Sequence, residues 1–317
     1  QVLQVEDLRV YYHTERGPVK AVDGVSLGLG VGERLGLVGE SGCGKSTLAM
    51  TLLRLVKPPG RIEGGRILLD GLDLVQLSEE RMRRIRLNEI SLIPQGAMNS
   101  LNPVMRVKEQ IMDGIRAHNE DISPKELEER LYQVLESVEL ERNVANMYPH
   151  ELSGGMKQRV CVAIAISLHP KVIVADEPTS AVDVVVQRQV MDAIGRLQEE
   201  LGASVILIGH DMGLMAQFPE RLAVMYAGRL AEVGSVMDIF SEPLHPYTSL
   251  LISSLPALEV KGVFRGIPGL TPSLLDVPPG CIFHPRCPQA MDICAKQLPV
   301  LKEVAPGRWV ACHLHEV

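Results

Sequence analysis

The sequence predicts an α/β fold, and three observations along the chain support this prediction. Short apolar runs alternate with helical patterns, which is typical of a largely parallel sheet covered by helices on both faces. A glycine-rich loop lies between one such run and the helical pattern after it. Four of the six cysteines follow residue 280, in a proline-rich stretch of different character. We therefore expect one large α/β domain followed by a small cysteine-rich extension.

The segments on either side of the glycine-rich loop predict β structure. Three short β-rich runs at 2–5, 8–12 and 25–29 are separated by turn residues. The apolar run 35–38 predicts a buried strand that leads into the loop. Residues 64–71, beyond the loop, predict a further strand that ends in a turn.

The loop itself, residues 39–47, reads GESGCGKST and fits the phosphate-binding pattern G-x-x-x-x-G-K-[ST]. The apolar residues 47–56 predict a helix after it, which completes the expected strand–loop–helix context. Glycines let the main chain curl until its N–H groups point at phosphate oxygens, and the helix N-terminus adds the positive end of a dipole. The loop therefore predicts a site for a nucleoside triphosphate.

Two side chains of the loop have distinct predicted roles. Lys45 supplies a positive charge for the β- and γ-phosphates, and the Ser46 hydroxyl is a hard oxygen ligand for Mg²⁺. The thiols of Cys43 and Cys161 are interpreted as small structural groups. The loop residues expected at the nucleotide are Gly39, Ser41, Gly42, Cys43, Gly44, Lys45, Ser46 and Thr47.

Residues 96–169 predict a mostly helical insert between two strands, at 89–94 and 171–176. Ser123, followed by Pro124 at the first helical position, is typical of a helix N-terminus, and apolar residues then recur at helical spacing.

Three further elements are predicted after the insert. A helix is expected to end at Gly202, a buried strand to occupy 204–208, and a β-hairpin to cover 221–233 with its turn at 227–228.

Two carboxylates end the apolar run 171–176, where α/β folds bind their ligands. Asp176 suits Mg²⁺ through a water molecule, and Glu177 can act as general base on an attacking water. This pair complements the phosphate loop, and together they predict a site that binds and hydrolyses a nucleotide.

Residues 152–159 read LSGGMKQR and resemble the signature of ABC-type ATPases. Other motifs of that family follow the expected order, since Gln95 matches the Q-loop, residues 180–183 resemble the D-loop and His210 resembles the H-loop switch. The resemblance implies the P-loop NTPase fold of the ABC ATPase type, with an antiparallel β subdomain and a helical insert. It also implies that the nucleotide is ATP and that the chain is an ATPase.

The resemblance implies roles for individual side chains as well. Tyr12 stands where the family places the aromatic ring that stacks on adenine, with Tyr11 as its rival. Gln95 and His210 are expected to sense the γ-phosphate and orient water beside Glu177. The residues expected around Mg²⁺ are Ser46, Gln95 and Asp176.

The signature predicts a second anion site. Ser153 can cap the helix that starts near Met156, and Gly154 and Gly155 expose N–H groups beside it. Two γ-phosphate sites in one chain make sense if two chains pair head to tail. The resemblance implies that each ATP lies between the phosphate loop of one subunit and the signature of the other, with Asp183 also at the nucleotide.

Within this family the chain resembles the ATPase subunits of dipeptide and oligopeptide importers. The resemblance rests on Ser-Leu-Asn-Pro at 100–103, Met156 in the signature, His-Pro-Tyr at 245–247 and the cysteine-rich tail. Residues 96–97 and Val182 depart from the usual pattern. Import of oligosaccharides or nickel by the same machinery is one alternative, and a non-transport ABC ATPase is another.

The resemblance to peptide importers also implies partners and a location. The partners are a second, related ATPase subunit in a heterodimer, two transmembrane permease subunits and, indirectly, a peptide-binding protein. The implied location is peripheral, at the cytoplasmic face of the cell membrane.

The composition agrees with these implications. A net charge of −7 argues against a nucleic-acid partner. A hydrophobic content of 46% with 22% charged residues is typical of a soluble globular protein. No apolar run has the length that spans a bilayer, and no signal-peptide pattern is visible, although the chain begins at Gln1.

The cysteines at 281, 287, 294 and 312 predict a bound metal, because free thiols seldom cluster in a cytosolic protein. Four thiolates suit an iron–sulfur cluster or tetrahedral zinc. Their long, uneven spacing and the Cys287-Pro288 step favour a structural 4Fe–4S cluster. Zinc is the alternative, because nearby histidines could substitute as ligands, and disulfides come last. The candidate ligands are Cys281, Cys287, Cys294 and Cys312, with His284, His313 and His315 as substitutes.

These patterns predict two domains. Residues 1–250 form a nucleotide-binding domain with a helical subdomain at about 96–169, and residues 251–317 form a cysteine-rich extension of the oligopeptide-importer type.

Overall fold

The structure is a computed structural model, and it describes residues 1–96, 100–180, 184–254 and 266–315. The strands are β1 (Leu3–Thr14), β2 (Gly17–Leu29), β3 (Arg34–Val38), β4 (Gly60–Leu69), β5 (Leu72–Asp73), β6 (Ile90–Ile93), β7 (Val172–Asp176), β8 (Ser204–Ile208), β9 (Arg221–Tyr226), β10 (Arg229–Ser235), β11 (Lys302–Ala305) and β12 (Arg308–Val310). The helices are α1 (Lys45–Leu52), α2 (Glu79–Ile85), α3 (Val107–Arg116), α4 (Pro124–Ser137), α5 (Gly154–Ile166), α6 (Val184–Leu201), α7 (Met212–Met215), α8 (Val236–Ser241) and α9 (Pro246–Ser253).

The chain divides into two compact units. The first, called here the helical unit, comprises residues 1–3, 29–33 and 73–208. The second, called the loop unit, comprises residues 4–28, 34–72 and 209–317.

The helical unit contains the parallel strands β8, β7 and β6, which lie side by side in that order. Every residue of β7 and β8 is buried, as expected for strands that are covered on both faces. The predicted strands at 171–176 and 204–208 are confirmed. Parallel pairing brings the carboxyl ends of β6 and β7 to the same edge of the sheet.

The described part of the helical insert contains α3, α4 and α5. The predicted start of α4 is confirmed, since the Ser123 hydroxyl accepts a hydrogen bond from the Glu126 N–H at 3.2 Å, with Pro124 at the first turn. The predicted end of α6 is also confirmed, because Gly202 follows it with a left-handed φ of 63°.

The loop unit contains five neighbouring strands in the order β11, β12, β10, β9, β3. Only the β3–β9 pair among them is parallel, so the largely parallel sheet that the sequence predicts is mixed in this unit. The predicted hairpin is confirmed as β9 and β10. Its turn residues Ala227 and Gly228 have φ values of 44° and 85°, which match the right-handed twist of the two strands.

Two predicted elements of the loop unit have different bounds in the structure. The runs at 2–5 and 8–12 form one continuous strand, β1, because the turn-prone Asp7 between them adopts a φ of 45° without ending it. The helix predicted at 47–56 begins earlier and ends earlier, as α1, since Arg54 turns left-handed at φ 52° two residues after its last turn. No helix among the described residues is long and apolar enough to cross a membrane.

Candidate nucleotide site

The phosphate loop joins β3 to α1, so the predicted strand–loop–helix context is confirmed. Gly39, Gly42 and Gly44 have φ values of 153°, 77° and 109°, in the region that favours glycine. Lack of space for a side chain is a second reason for glycine at Gly39 and Gly44. A Cβ on Gly39 would lie 2.1 Å from the Met225 carbonyl oxygen, and one on Gly44 would lie 2.0 Å from that of Ala21.

Lys45 is held inside this loop. Its ammonium group is buried and donates hydrogen bonds to the carbonyl oxygens of Gly39 at 2.8 Å and Glu40 at 3.0 Å. Both acceptors are neutral, so they orient the positive charge without cancelling it. The neighbouring Cys43 thiol lies 3.7 Å from the ammonium, and burial raises its pKa. This arrangement presents a cation where the sequence predicts phosphate.

The two candidate adenine rings have different surroundings. The Tyr12 hydroxyl lies 3.5 Å from the Thr47 hydroxyl of the loop. The Tyr11 hydroxyl instead donates to Asp23 at 2.6 Å, and burial together with this bond raises the pKa of Tyr11 to about 12. Asp23 also accepts from Arg229 at 2.6 Å. Tyr11 thus belongs to a fixed polar network, whereas Tyr12 contacts the loop.

His210 belongs to the loop unit and is exposed. It lies between Gly209, whose N–H donates to the Leu37 carbonyl at 3.2 Å, and Asp211, whose carboxylate caps the short helix α7. Both neighbours are anchored, so the backbone at the exposed His210 is held in place.

The predicted catalytic residues of the helical unit lie together. Asp176 is the buried last residue of β7, and Glu177 follows it with a left-handed φ of 47°. Gln95, which follows β6, donates from its side-chain amide to the Glu177 carboxylate at 3.0 Å. Left-handed backbone at a non-glycine residue is uncommon and is concentrated at functional sites. The neighbouring ends of β6 and β7 therefore bring two separately predicted residues into contact.

The signature forms the start of α5. The Ser153 hydroxyl accepts from the Met156 N–H at 3.3 Å, so the predicted cap is confirmed, although the helix begins at Gly154 rather than near Met156. A Cβ on Gly155 would lie 2.7 Å from the Val186 side chain, which explains the glycine there. Asp183 and Val182 of the D-loop, and residue 97, lie outside the described residues.

The four C-terminal cysteines are free thiols, of which Cys287 is half-buried and the others are buried. Within the parts of the chain that the structure describes, no group of three or more His, Cys, Asp or Glu side chains is arranged to hold a metal ion. Each candidate histidine engages a ring nitrogen with a backbone carbonyl, namely His284 with Cys281, His313 with Gln297 and His315 with Leu244.

One contact of the loop is not predicted by the sequence. The Glu40 carboxylate pairs with Arg286 at 2.6 Å, and the Glu40 N–H donates to the Tyr247 hydroxyl at 2.8 Å. The His-Pro-Tyr run at 245–247 is a signal for Tyr247, but no local pattern marks Arg286.

A phosphate loop, a signature helix and a Gln95–Glu177 pair on α/β sheets define an ATPase cassette of the ABC type. The ABC transporter family model matches residues 22–180, and a model of the oligopeptide/dipeptide transporter C-terminal region matches residues 231–294. The chain belongs to the ABC transporter ATP-binding subunits, in the dipeptide and oligopeptide branch.

Two relatives illustrate this membership. The chain is 44% identical over 317 residues to the dipeptide transport ATP-binding protein DppD of Caldanaerobacter subterraneus subsp. tengcongensis, covering 99% of this chain and 97% of the relative. It is 44% identical over 314 residues to the oligopeptide transport ATP-binding protein OppD of Escherichia coli, covering 98% and 92%.

The solved structures share the cassette. The dimeric structure of MJ0796, a bacterial ABC transporter cassette, aligns with a TM-score of 0.67 and 28% identity, covering 74% of this chain and 98% of that one. The same protein in a post-hydrolysis state bound to ADP and Pi aligns equally well. This chain therefore has residues beyond the shared cassette.

Proposed function

We propose that this chain is the ATP-hydrolysing subunit that powers an importer of di- or oligopeptides. The observation that carries the hydrolytic part is the hydrogen bond from Gln95 to Glu177 beside the buried Asp176. The cargo is inferred from relatives that align with this chain over nearly their full length. These relatives are named dipeptide and oligopeptide transport ATP-binding proteins.

In this proposal the loop unit binds ATP. Main-chain N–H groups of the phosphate loop and the Lys45 ammonium hold the phosphates, and Tyr12 stacks on adenine. The contact between Tyr12 and Thr47 supports this choice over Tyr11, whose hydroxyl is occupied by Asp23.

Hydrolysis is assigned to the helical unit together with His210. Glu177 takes a proton from the attacking water, while Gln95 and His210 orient that water and sense the γ-phosphate. Ser46, Gln95 and Asp176 carry the oxygen groups that would hold Mg²⁺, and the ion would supply positive charge beside the phosphates.

The signature supports a paired arrangement. Ser153 caps α5, and Gly154 and Gly155 leave the helix N-terminus open to an anion. We assign these residues, with Asp183, to the nucleotide of a second ATPase subunit. Met156 replaces the glutamine of many signatures, so the partner is proposed to be a related but different chain.

In the proposed transport mechanism, closure of the pair of ATPase subunits moves two membrane permease subunits that are bound at the cytoplasmic face. The permease contact is assigned to the surface near Gln95 and the helical insert. In this scheme residues 1–250 form the ATPase domain, residues 251–317 form the extension, and a peptide-binding protein delivers cargo from the other side of the membrane.

The test of hydrolysis is Glu177→Gln. ATP turnover should fall by about 10²–10⁴, because the general base is lost while the shape of the site is kept. ATP binding, measured by equilibrium dialysis, should stay unchanged. Glu129→Gln, on the exposed face of α4, is the control and should leave turnover at the wild-type rate. Near wild-type hydrolysis by Glu177→Gln would remove Glu177 from this role.

The test of cargo uses the complete transporter in proteoliposomes with its binding protein. Di- and oligopeptides should stimulate ATP hydrolysis and accumulate inside the vesicles, whereas oligosaccharides and nickel should do neither. Stimulation by an oligosaccharide or nickel alone would replace the peptide assignment and leave the ATPase assignment intact.

We further propose that the C-terminal thiols hold a structural 4Fe–4S cluster. The support is their proximity, since the Cys281 N–H donates to the Cys294 carbonyl oxygen at 2.8 Å, and the charges of Cys294, Cys312 and Cys287 all act on the Cys281 thiol. Each thiolate of such a cluster binds a different iron, so its ligands lie farther apart than those of one ion. A single zinc ion lacks a suitable ligand group among the described residues.

Anaerobic purification followed by iron, sulfide and zinc analysis tests this assignment. About four irons and four sulfides per chain are expected, and Cys287→Ser should lose them. Cys161→Ser, which removes a buried thiol of α5 in the helical unit, is the control and should retain the iron. Stoichiometric zinc, or no metal, would overturn the proposal.

A further inference from the structure

Glu40, the second residue of the phosphate loop, is held by residues far along the chain. Its carboxylate receives two hydrogen bonds from the Arg286 guanidinium, at 2.6 and 2.9 Å, and one from the Thr271 hydroxyl at 3.2 Å. Its N–H donates to the Tyr247 hydroxyl at 2.8 Å. Each of these partners lies more than 200 residues away in sequence.

The Arg286 side chain is buried rather than lying on the protein surface. Its side chain is 4% exposed, against 23% for Glu40. The remaining donors of the guanidinium reach the carbonyl oxygens of Pro268 at 2.9 Å and Ile267 at 3.3 Å, and the Tyr226 hydroxyl at 3.2 Å. A bidentate ion pair of this kind holds the carboxylate in one orientation and compensates its negative charge.

The pair has a direct connection to the nucleotide-binding groups. The Glu40 carbonyl oxygen is one of the two acceptors that hold the Lys45 ammonium. Glu40 also places a negative charge inside a loop that has to attract the negative phosphates of ATP. Without a partner, that charge would oppose binding, because like charges in a partly buried site are weakly screened.

We propose that Arg286 is a positioning residue for ATP binding, which neutralises Glu40 and fixes the loop backbone that orients Lys45. The inference rests on the proposed ATP-binding function, and it gives the C-terminal segment a role in the nucleotide site. Arg286 itself is not assigned any contact with the nucleotide.

The experiment measures the dissociation constant of ATP for the full chain, by equilibrium dialysis at low and high salt. Arg286→Gln leaves the Glu40 carboxylate without its cation, so ATP should bind about tenfold more weakly or worse, and the difference should persist at high salt because this partly buried charge is weakly screened. Adding Glu40→Gln to that variant removes the uncompensated charge. The double variant should return to within about threefold of the wild-type affinity, which loss of packing alone would not do.

Arg308→Gln is the matched control. Arg308 forms another buried ion pair of the loop unit, with its guanidinium 3.7 Å from the fully buried Glu232 carboxylate, and neither residue belongs to the phosphate loop. This variant should lower stability and leave the ATP affinity of the folded chain unchanged. Should Arg286→Gln not fold, Glu40→Gln alone serves as the second variant, and it should bind ATP at least as tightly as wild type.

Three results would overturn the inference. The first is wild-type ATP affinity in folded Arg286→Gln. The second is a double variant that binds ATP no more tightly than Arg286→Gln, and the third is tenfold weaker ATP binding by Glu40→Gln. A wild-type chain that does not bind ATP would instead refute the proposed function, so the two failures are distinguishable.

Discussion

Gly44 and Gly42 allow a quantitative test of how the phosphate loop is built. Both lie in the loop with positive φ, at 109° for Gly44 and 77° for Gly42. They differ in the space beside them. A Cβ on Gly44 would lie 2.0 Å from the Ala21 carbonyl oxygen and 2.8 Å from the Met225 side chain, whereas one on Gly42 would meet nothing within 4 Å.

The expected magnitudes follow from that difference. A left-handed residue other than glycine costs about 1–2 kcal/mol, which is the whole effect expected for Gly42→Ala. Gly44→Ala has at least this cost, since a φ of 109° lies farther from the allowed left-handed region, and it has a further cost of about 1–3 kcal/mol because a backbone carbonyl has to move. The added methyl group also restricts the unfolded chain, but this stabilising effect is the same for both variants and cancels in their difference.

The measurement is urea unfolding of both full-length variants without nucleotide, with equal slopes as a check on equivalent unfolded states. Gly44→Ala should be less stable than Gly42→Ala by about 1–3 kcal/mol, and it should bind ATP more weakly. Equal stability of the two variants would refute the steric reasoning, because it would show that backbone conformation alone requires these glycines.

Two further predictions follow from buried groups of the loop unit. Burial, and then the charge of His315, lowers the pKa of His245 from its usual 6.5 to about 4. Between these two pH values protonation of His245 favours the unfolded chain. The free energy of unfolding of the wild type should therefore fall by about 3 kcal/mol as the pH drops from 6.5 to 4. Urea unfolding at each pH measures this fall, and His245→Asn should lack it. Tyr12→Ala should weaken ATP binding by about tenfold through loss of stacking. Tyr11→Ala, which removes the ring whose hydroxyl is bound to Asp23, should lower thermal stability and leave ATP affinity unchanged. The reverse pattern of affinities would assign adenine to Tyr11.

The features that the sequence predicts well are those that local chemistry determines. The phosphate loop needs glycine where its backbone turns left-handed, the α4 cap needs only Ser123 and the residues after it, and the hairpin turn needs Gly228. Each depends on neighbours within a few residues. The strand β1 shows the limit of such reasoning, because its continuation through Asp7 depends on its pairing with β2 on one side and β4 on the other.

Contacts between distant segments could not be predicted in the same way. Gln95 and Glu177 are both identified by motif, but their hydrogen bond spans 82 residues and depends on the parallel pairing of β6 and β7. The Arg286–Glu40 pair spans 246 residues and has no sequence signal at all. The cysteines at the C-terminus predict a metal from composition, whereas the positions of their side chains depend on loops whose folding composition does not specify.

Hydrogen bonds hold functional groups in place in each of the two units. Gln95 holds Glu177, and Arg286 and Tyr247 hold Glu40, through hydrogen bonds within the protein itself. Groups that the protein's own hydrogen bonds hold in place need not be ordered by a ligand, so less of the binding free energy is lost to conformational entropy. In the proposed function, that free energy is then available for pairing with the second ATPase subunit. Preorganisation of Glu177 and of the loop backbone at Glu40 would therefore allow more of the free energy of ATP binding to drive a movement of subunits.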